Sequence, residues 1–351
     1  MSKVLVKGNE AVGAAMISAG CKTYFAYPIT PQSEVPEYLS RELPKVGGTF
    51  VQAESEVAAI NMVYGAAGTG VRVATSSSSP GIALMQEGIS YLAGAELPCL
   101  IVNMMRGGPG LGSIQPSQTD YFQSTRGGGN GDYRLICLAP ASIQELVDLI
   151  HLGFDLADYY RNPSLIVADG LLGQMMEPVE FKNHSSMELP EKTWAATGTN
   201  GERKPNIINS LYLSPDELEV HNKHLMEKYK AIEANEVRVE EIDLEDADLV
   251  LSAYGTTSRI CKSAMEILKE KGYKIGMVRP ITLWPYPFAS FKKINPDSKG
   301  VLVVEMNQGQ MTDDVKIAVE GKQAVHFYGR QGGMIPTTEE VVEAALKILE
   351  A

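Results

Sequence analysis

Four short stretches of the 351-residue chain pair reactive side chains with loop-forming residues. Tyr27-Pro28-Ile29-Thr30-Pro31-Gln32-Ser33-Glu34 places a hydroxyl between prolines ahead of a helical run, where backbone N–H groups are unpaired. Thr30 there either faces a ligand or shares a capping role with Ser33. Glu54-Ser55-Glu56 opens a helix, and the helix dipole alone accounts for carboxylates in a first turn. Ser76-Ser77-Ser78-Ser79-Pro80-Gly81 joins a strand to a helix with small hydroxyl residues. It reads equally as a cradle for a phosphate or polar ring edge and as a capped turn. Met105-Arg106-Gly107-Gly108-Pro109-Gly110 sets a lone arginine where a strand opens into a glycine loop, a position suited to a bidentate carboxylate grip. The polar, glycine-rich stretch Gly107–Gly131 is long for a loop without function.

Other groups read as structural. Ala168-Asp169-Gly170 superficially matches the start of a thiamine-diphosphate metal motif, but the asparagine pair expected further on is missing, with only Asn183 nearby. Asp169 therefore reads as a loop or cap residue. His221 and His224 lie three apart on a charged helix with no third ligand beside them, which describes a solvated face. No P-loop, nucleophile elbow, His-Glu-x-x-His or dinucleotide glycine fingerprint is found where it would have to be. The four cysteines, Cys21, Cys99, Cys137 and Cys261, form no CxxC pair. A disulfide framework or a cluster held by this chain is not expected.

The elements that position these stretches alternate. Strands are expected at Thr23–Tyr27, Thr49–Gln52, Arg72–Ser76, Pro98–Met104, Arg134–Leu138 and Ser164–Ala168. Helices are expected at Asn9–Ala19, Ser33–Leu39, Glu54–Ala67, Ile82–Ala93 and Ile143–Tyr159. Apolar strands each followed by a helix imply a parallel sheet covered on both faces, with ligands beyond the carboxyl ends of its strands. From Gln174 to about Ala247 the pattern lapses, apart from one charged helix from Pro215 to about Glu236 with Ser214 as N-cap. It then resumes with strands Leu249–Ala253, Lys274–Val278, Val301–Glu305 and Ala324–Phe327. Between them lie helices Thr257–Lys271, Gln310–Val319 and Thr338–Leu349.

Charge and length exclude several classes. Lys and Arg number 31 against 43 Asp and Glu, a net charge of −12, the wrong balance for a nucleic-acid surface. No run of about 18 apolar residues suggests a membrane span. Residues 1–8 lack the apolar core of a secretion signal, so a cytoplasmic location is expected. The length suits about two domains.

Together these residues resemble the α subunit of the thiamine-diphosphate-dependent 2-oxoacid:ferredoxin oxidoreductases, of the branched-chain (3-methyl-2-oxobutanoate) or 2-oxoglutarate type. The resemblance rests on Tyr27–Glu34, Glu54–Ala59, Thr75–Gly81, Arg106-Gly107-Gly108-Pro109 and Glu305-Met306-Asn307-Gln308-Gly309-Gln310. It implies an α/β fold: a pyrimidine-binding parallel-sheet domain over residues 1–175, a linker with one charged helix over 176–246, and a smaller transketolase C-terminal-like α/β domain over 247–351. It also implies oxidative decarboxylation of a 2-oxoacid to acyl-CoA and CO₂, with electrons passed singly through iron–sulfur clusters to ferredoxin.

On the resemblance, Glu56 rather than Glu54 is the glutamate that hydrogen-bonds the cofactor's aminopyrimidine. Thr30 and Arg106 match the family's substrate-contacting threonine and carboxylate-binding arginine. Ser78 and Ser79 are candidate cofactor contacts. The diphosphate and Mg²⁺ site and the 4Fe-4S clusters belong to partner chains: a β subunit, a small ferredoxin-like subunit and a γ subunit. Coenzyme A is the acyl acceptor. The Gly110–Gln118 run looks more like the branched-chain type, since a 2-oxoglutarate enzyme wants a further cation, for which Arg126 is the candidate. A scaffold subunit that has kept the fold and lost the chemistry, and a self-contained thiamine decarboxylase, are the alternatives. No role for Glu305 follows from chemistry alone.

Overall fold

The strand Leu100–Met105 is buried along its whole length, as expected of a central parallel strand covered on both faces. In the computed structural model, which describes residues 3–182 and 187–351, it lies near the middle of a seven-stranded sheet. From edge to edge the order is Thr282–Trp284, Ile136–Leu138, Ser164–Asp169, Leu100–Met105, Val73–Ser77, Thr23–Ala26 and Thr49–Gln52. All neighbours are parallel except the first pair. Helix Gly8–Ser18 packs against Ile143–Tyr160 and Glu34–Glu42, and Glu56–Gly68 packs against Ser79–Gly94.

A second, five-stranded sheet runs Val325–Gly329, Val301–Glu305, Leu249–Ser252, Ile275–Pro280, Val239–Ile242, with only the last strand antiparallel. The two units are not independent. Immediately after Pro280 the chain leaves the second sheet, and Thr282–Trp284 joins the edge of the first.

Several boundaries differ from the sequence expectation for local reasons. The helix expected from Ile82 begins at Ser79, because Pro80 falls in its first turn, where a missing N–H costs nothing. The helix expected from Glu54 begins at Glu56, with Ser55 as its cap: the Ser55 hydroxyl accepts from the Ala58 amide. Ser214 stands at the N-cap of Pro215–Asn235 but its side chain makes no capping bond. Strands Val4–Lys7, Met176–Val179, Val239–Ile242 and Thr282–Trp284 were not expected: each is three or four residues long, and Pro178 and the pair Glu240-Glu241 mask two of them. The glycine-rich stretch contains a short helix, Tyr121–Arg126. Asn183 lies outside the described residues.

All four cysteines are free and buried; burial pushes the Cys21 thiol up to about 12. Asp169 caps the helix Gly170–Gln174 by accepting from the Leu171 and Leu172 amides, as a cap residue should. Among the described residues no helix is long and apolar enough to cross a membrane.

Candidate active site

The carboxyl ends of the first-sheet strands carry the expected stretches, but not into one cavity: Thr30 lines one groove and Ser79 another, and Glu56, Ser78 and Arg106 line neither. After Thr23–Ala26 the chain forms the Thr30 loop, held from several sides. Asn9 Nδ2 donates to the Pro31 carbonyl at 2.7 Å and to Glu34 at 2.8 Å, and Lys7 pairs with Glu34 at 2.6 Å. The buried Gln32 accepts from Ser76 Oγ at 2.5 Å. Thr30 itself is exposed and lines a groove of about 550 Å³.

Glu54 is exposed, whereas Glu56, the first residue of its helix, is 6% exposed. Its carboxylate makes no hydrogen bond to another described residue. It lies against Gly81 in the first turn of the neighbouring helix, where a Cβ would meet Glu56 Oε1 at 2.7 Å. Thr75, Ser76, Ser77, Ser78 and Ser79 are all buried on the adjoining strand end and turn. Ser76 is engaged by Gln32 and by Tyr24 Oη at 2.6 Å. Ser79 Oγ donates to Asp120 at 2.5 Å and accepts from the Arg106 amide at 3.0 Å. Thr75 Oγ1, Ser77 Oγ and Ser78 Oγ have no partner among the described residues, nor has Gln32 Nε2. Each buried, unsatisfied polar group costs about 1–3 kcal/mol. Four of them at one sheet end, beside a buried carboxylate, fit an uncharged polar ring edge better than a purely structural turn.

Arg106 is buried, and its guanidinium ties two loops. Nη1 donates to the Thr30 carbonyl at 2.9 Å and Nη2 to the Leu111 carbonyl at 3.1 Å, while Nε is buried without a partner. Two of its five N–H groups are thus used and three remain. The following residues, Gly107–Gly110, wall a cavity of about 700 Å³ together with Ser79, Asp120 and Gln123. Asn307, Gln308, Gln310 and Gln331 of the second unit complete it. Asp120 also accepts from Asn103 at 2.9 Å, and burial pushes its carboxyl above the usual range.

Gln118 joins the two halves of that cavity. Its side chain accepts from the Met306 amide at 3.0 Å and donates to the Tyr254 carbonyl at 2.9 Å, and its own carbonyl accepts from Asn307 at 2.8 Å. Glu305, wholly buried, accepts from the amides of Met311 at 2.9 Å and Thr312 at 3.1 Å, and from Asn307 at 2.8 Å. Its role is therefore to seat the helix Gln310–Ala318 and the cavity residue Asn307, and burial raises its carboxyl.

Arg126 does not reach this cavity. Both its Nη groups pair with Asp314 of the second unit, at 3.0 and 2.9 Å, so in the structure it ties the units together. The two histidines also go to separate tasks: His221 bonds the Gly94 carbonyl at 2.7 Å and His224 meets Glu96 at 3.0 Å.

Residues 14–243 match the family described as pyruvate flavodoxin/ferredoxin oxidoreductase, thiamine diphosphate-binding, and residues 247–341 match pyruvate:ferredoxin oxidoreductase core domain II. The chain belongs to the pyruvate:ferredoxin oxidoreductase family. Within it, the chain is 50% identical over 348 residues to ketoisovalerate oxidoreductase subunit VorB of Methanothermobacter marburgensis, covering 99% of this chain and 98% of the relative. It is 35% identical to 2-oxoglutarate synthase subunit KorA of Methanocaldococcus jannaschii, covering 99% of this chain and all of the relative.

Among solved structures of this family, the 2-oxoglutarate:ferredoxin oxidoreductase of Magnetococcus marinus, with 2-oxoglutarate, coenzyme A and succinyl-CoA bound, matches with a TM-score of 0.87 at 30% identity. The match covers 99% of this chain and 65% of that one. A split-gene transketolase, in an inactive β4 tetramer, matches at a TM-score of 0.63 and 14% identity, a likeness of fold alone. The chain is thus an oxidoreductase subunit with a two-unit thiamine-diphosphate-type α/β fold.

Sequence reasoning missed Ser77, Gly81, Asp120 and Gln118. A hydroxyl run has no period that says which member faces inward, and a glutamine's value as a tie appears only once two distant loops meet.

Proposed function

We propose that this chain is the subunit of a 2-oxoacid:ferredoxin oxidoreductase that holds the aminopyrimidine end of thiamine diphosphate and orients a branched-chain 2-oxoacid, 3-methyl-2-oxobutanoate. In this reading residues 1–175 form the pyrimidine-binding unit, 176–246 the linker and 247–351 the unit that closes the substrate cavity. When bound, thiamine diphosphate would supply the nucleophilic carbon and the electron sink that decarboxylation of a 2-oxoacid requires. Glu56 offers a buried carboxylate oxygen to the pyrimidine N1′ and exchanges a proton there. Ser78 and the neighbouring unpaired hydroxyls meet the polar edge of the same ring. Ser79 helps through Asp120 and the Arg106 amide. Thr30 and the three free N–H groups of Arg106 orient the substrate carboxylate and 2-oxo group, as a bidentate arginine in a dry site can.

The observation that carries the substrate choice is the cavity of about 700 Å³. Its lining is amide, hydroxyl (Ser79 and Thr119), glycine, alanine and proline with one carboxylate, Asp120, and no Lys, Arg or His. A distal carboxylate would sit there without a cation and beside a like charge, at a Coulombic cost of several kcal/mol at the effective dielectric of a protein site. The 50% identity to a ketoisovalerate oxidoreductase subunit agrees. A 2-oxoglutarate enzyme is the second reading, favoured by the close match to the Magnetococcus marinus structure.

Three remaining assignments are part of the proposal. No three His, Cys, Asp or Glu side chains among the described residues are grouped to hold a metal; the Mg²⁺–diphosphate end goes to a β subunit and the 4Fe-4S clusters to a ferredoxin-like subunit, with a γ subunit beside them. Coenzyme A takes the acyl group and ferredoxin the electrons. The complex works in the cytoplasm.

The test is anaerobic purification of the native complex through a tag on this chain, followed by coenzyme-A-dependent reduction of a low-potential dye. Turnover with 3-methyl-2-oxobutanoate well above that with pyruvate, 2-oxoglutarate and an aryl pyruvate supports the proposal. A preference for 2-oxoglutarate moves the assignment to the second reading, and inactivity with every 2-oxoacid overturns both.

A further inference from the structure

Helices Glu56–Gly68 and Ser79–Gly94 meet along a seam made by two glycines. Gly81 and Gly88 are seven residues apart, so they lie on one face of their helix. Opposite them are Glu56 and Ile60, one turn apart on the other helix. A Cβ on Gly88 would stand 2.5 Å from Ile60 Cγ2, and one on Gly81 would stand 2.7 Å from Glu56 Oε1 and 2.0 Å from Ser77 Oγ. Only hydrogen fits at either place, and the close approach it permits fixes the height of Glu56 above the turn.

At position 81 two oxygen atoms therefore lie within 2.7 Å of the same point: a Glu56 carboxylate oxygen and the Ser77 hydroxyl. Ser77 is wholly buried and its hydroxyl has no partner among the described residues. Glu56 has no donor either. Ser76, the preceding residue, is already committed to Gln32 and Tyr24.

We propose that Ser77 and Gly81 are the positioning residues of Glu56: the Ser77 hydroxyl donates to its carboxylate when a ring edge is bound, and Gly81 leaves the room for the two to meet. The inference rests on the reading of Glu56 given above. The hydroxyl serves two ends. Its hydrogen bond fixes one carboxylate oxygen, so that the other is presented to the ring nitrogen in a single orientation. It also gives the buried Glu56 carboxylate one of the hydrogen bonds that burial denies it from water.

Structural and positioning roles predict different outcomes for removal of this hydroxyl. A hydroxyl that is buried and unpaired in the cofactor-free chain stabilises nothing there, so its loss should leave the fold as stable or more so. The experiment compares assembled complexes carrying Ser77→Ala, Ser77→Thr and Glu56→Gln with the native complex. Calorimetric titration of cofactor-depleted complex with thiamine diphosphate, near-ultraviolet circular dichroism of the bound cofactor, thermal midpoints and steady-state kinetics are measured on each.

For Ser77→Ala the expected result is at least tenfold weaker thiamine diphosphate binding, an altered dichroic band, lower kcat with unchanged KM for the 2-oxoacid, and an unchanged or higher thermal midpoint without cofactor. Ser77→Thr, which keeps the hydroxyl, restores binding and band. Native affinity and spectrum in Ser77→Ala, with Glu56→Gln impaired, overturn this inference alone. If Glu56→Gln is also without effect, the reading of Glu56 fails with it. A lowered midpoint in both Ser77 variants shows a structural role and overturns the inference too.

Discussion

Arg106 Nη1 donates to the carbonyl oxygen of Thr30 at 2.9 Å, so two loops separated by 76 residues present their polar groups as one surface. The same guanidinium holds the Leu111 carbonyl, and the Arg106 amide rests on Ser79. Thr30 and the glycine loop thus share one cation as their common support, while Ser79 meets the backbone of the same residue.

Arg106→Lys should break this support, because an ammonium cannot span both carbonyls and still offer a fork to a carboxylate. Loss of charge-assisted bonds of this kind is worth about 1.5–3 kcal/mol, or about 10- to 100-fold in kcat/KM. Most of it should appear as a raised KM for the 2-oxoacid in steady-state dye reduction. An unchanged KM would remove Arg106 from the substrate site.

Gln118→Ala tests the tie between the two units. It leaves the Met306 amide and the Tyr254 carbonyl, both buried, without the bonds they make to this side chain. The Tyr254 carbonyl keeps its bond from Thr257 Oγ1 at 2.7 Å, so the cost is that of the Met306 amide, about 1–3 kcal/mol, which urea unfolding should register as a fall in midpoint. A midpoint equal to the native one would mean that the units are held elsewhere.

Arg126→Gln separates a structural cation from a specificity one. Arg126 is 40% exposed, so its pair with Asp314 is worth about 1 kcal/mol or less and is weakened by salt. The variant should lose a little stability and keep the native ratio of kcat/KM for 3-methyl-2-oxobutanoate over 2-oxoglutarate. A ratio shifted further against 2-oxoglutarate would restore Arg126 as a distal-carboxylate group.

Lys228 supplies a pH test of the linker helix. Burial brings its ammonium down from 10.5 to about 8, against the opposing pull of Glu96 at 3.2 Å. Between pH 8 and 10.5 the unfolded chain therefore holds this proton more firmly than the folded chain. Stability contributed by the group rises with pH across that window. Lys228→Met should abolish this rise relative to the native protein in urea midpoints taken from pH 7 to 11. Parallel profiles would contradict the assignment.

How much of this was legible in the sequence follows from the physics of each feature. Val301–Glu305, a wholly buried parallel strand, and Thr49–Gln52, an edge strand exposed at both ends, match the sequence expectation to the residue, while helix starts shift by two or three residues where a cap or a first-turn proline acts. Thr282–Trp284 was not readable: three residues carry no period, and nothing local says that the chain leaves one sheet for another. Glu56 was distinguished from Glu54 by likeness to a family pattern, and the structure buries Glu56 and exposes Glu54. Arg126 was a candidate cation because sequence shows a charge but not its partner. Ser77 is hidden among four serines, and Gly81 by the commonness of glycine after proline; only the structure shows that the Ser77 hydroxyl and a Glu56 oxygen both face the space a side chain at Gly81 would fill.

The most direct test of the account is turnover by the assembled complex with Glu56→Gln set beside Glu54→Gln. The buried carboxylate is assigned the proton exchange at the cofactor ring and the exposed one no task. Glu56→Gln should therefore lower kcat for 3-methyl-2-oxobutanoate by at least a hundredfold, within the range typical for a positioned acid–base group, with the complex still assembled. Glu54→Gln should stay within about twofold of native, as an exposed substitution ordinarily does. Equal turnover in both variants, at the native rate, would contradict the account.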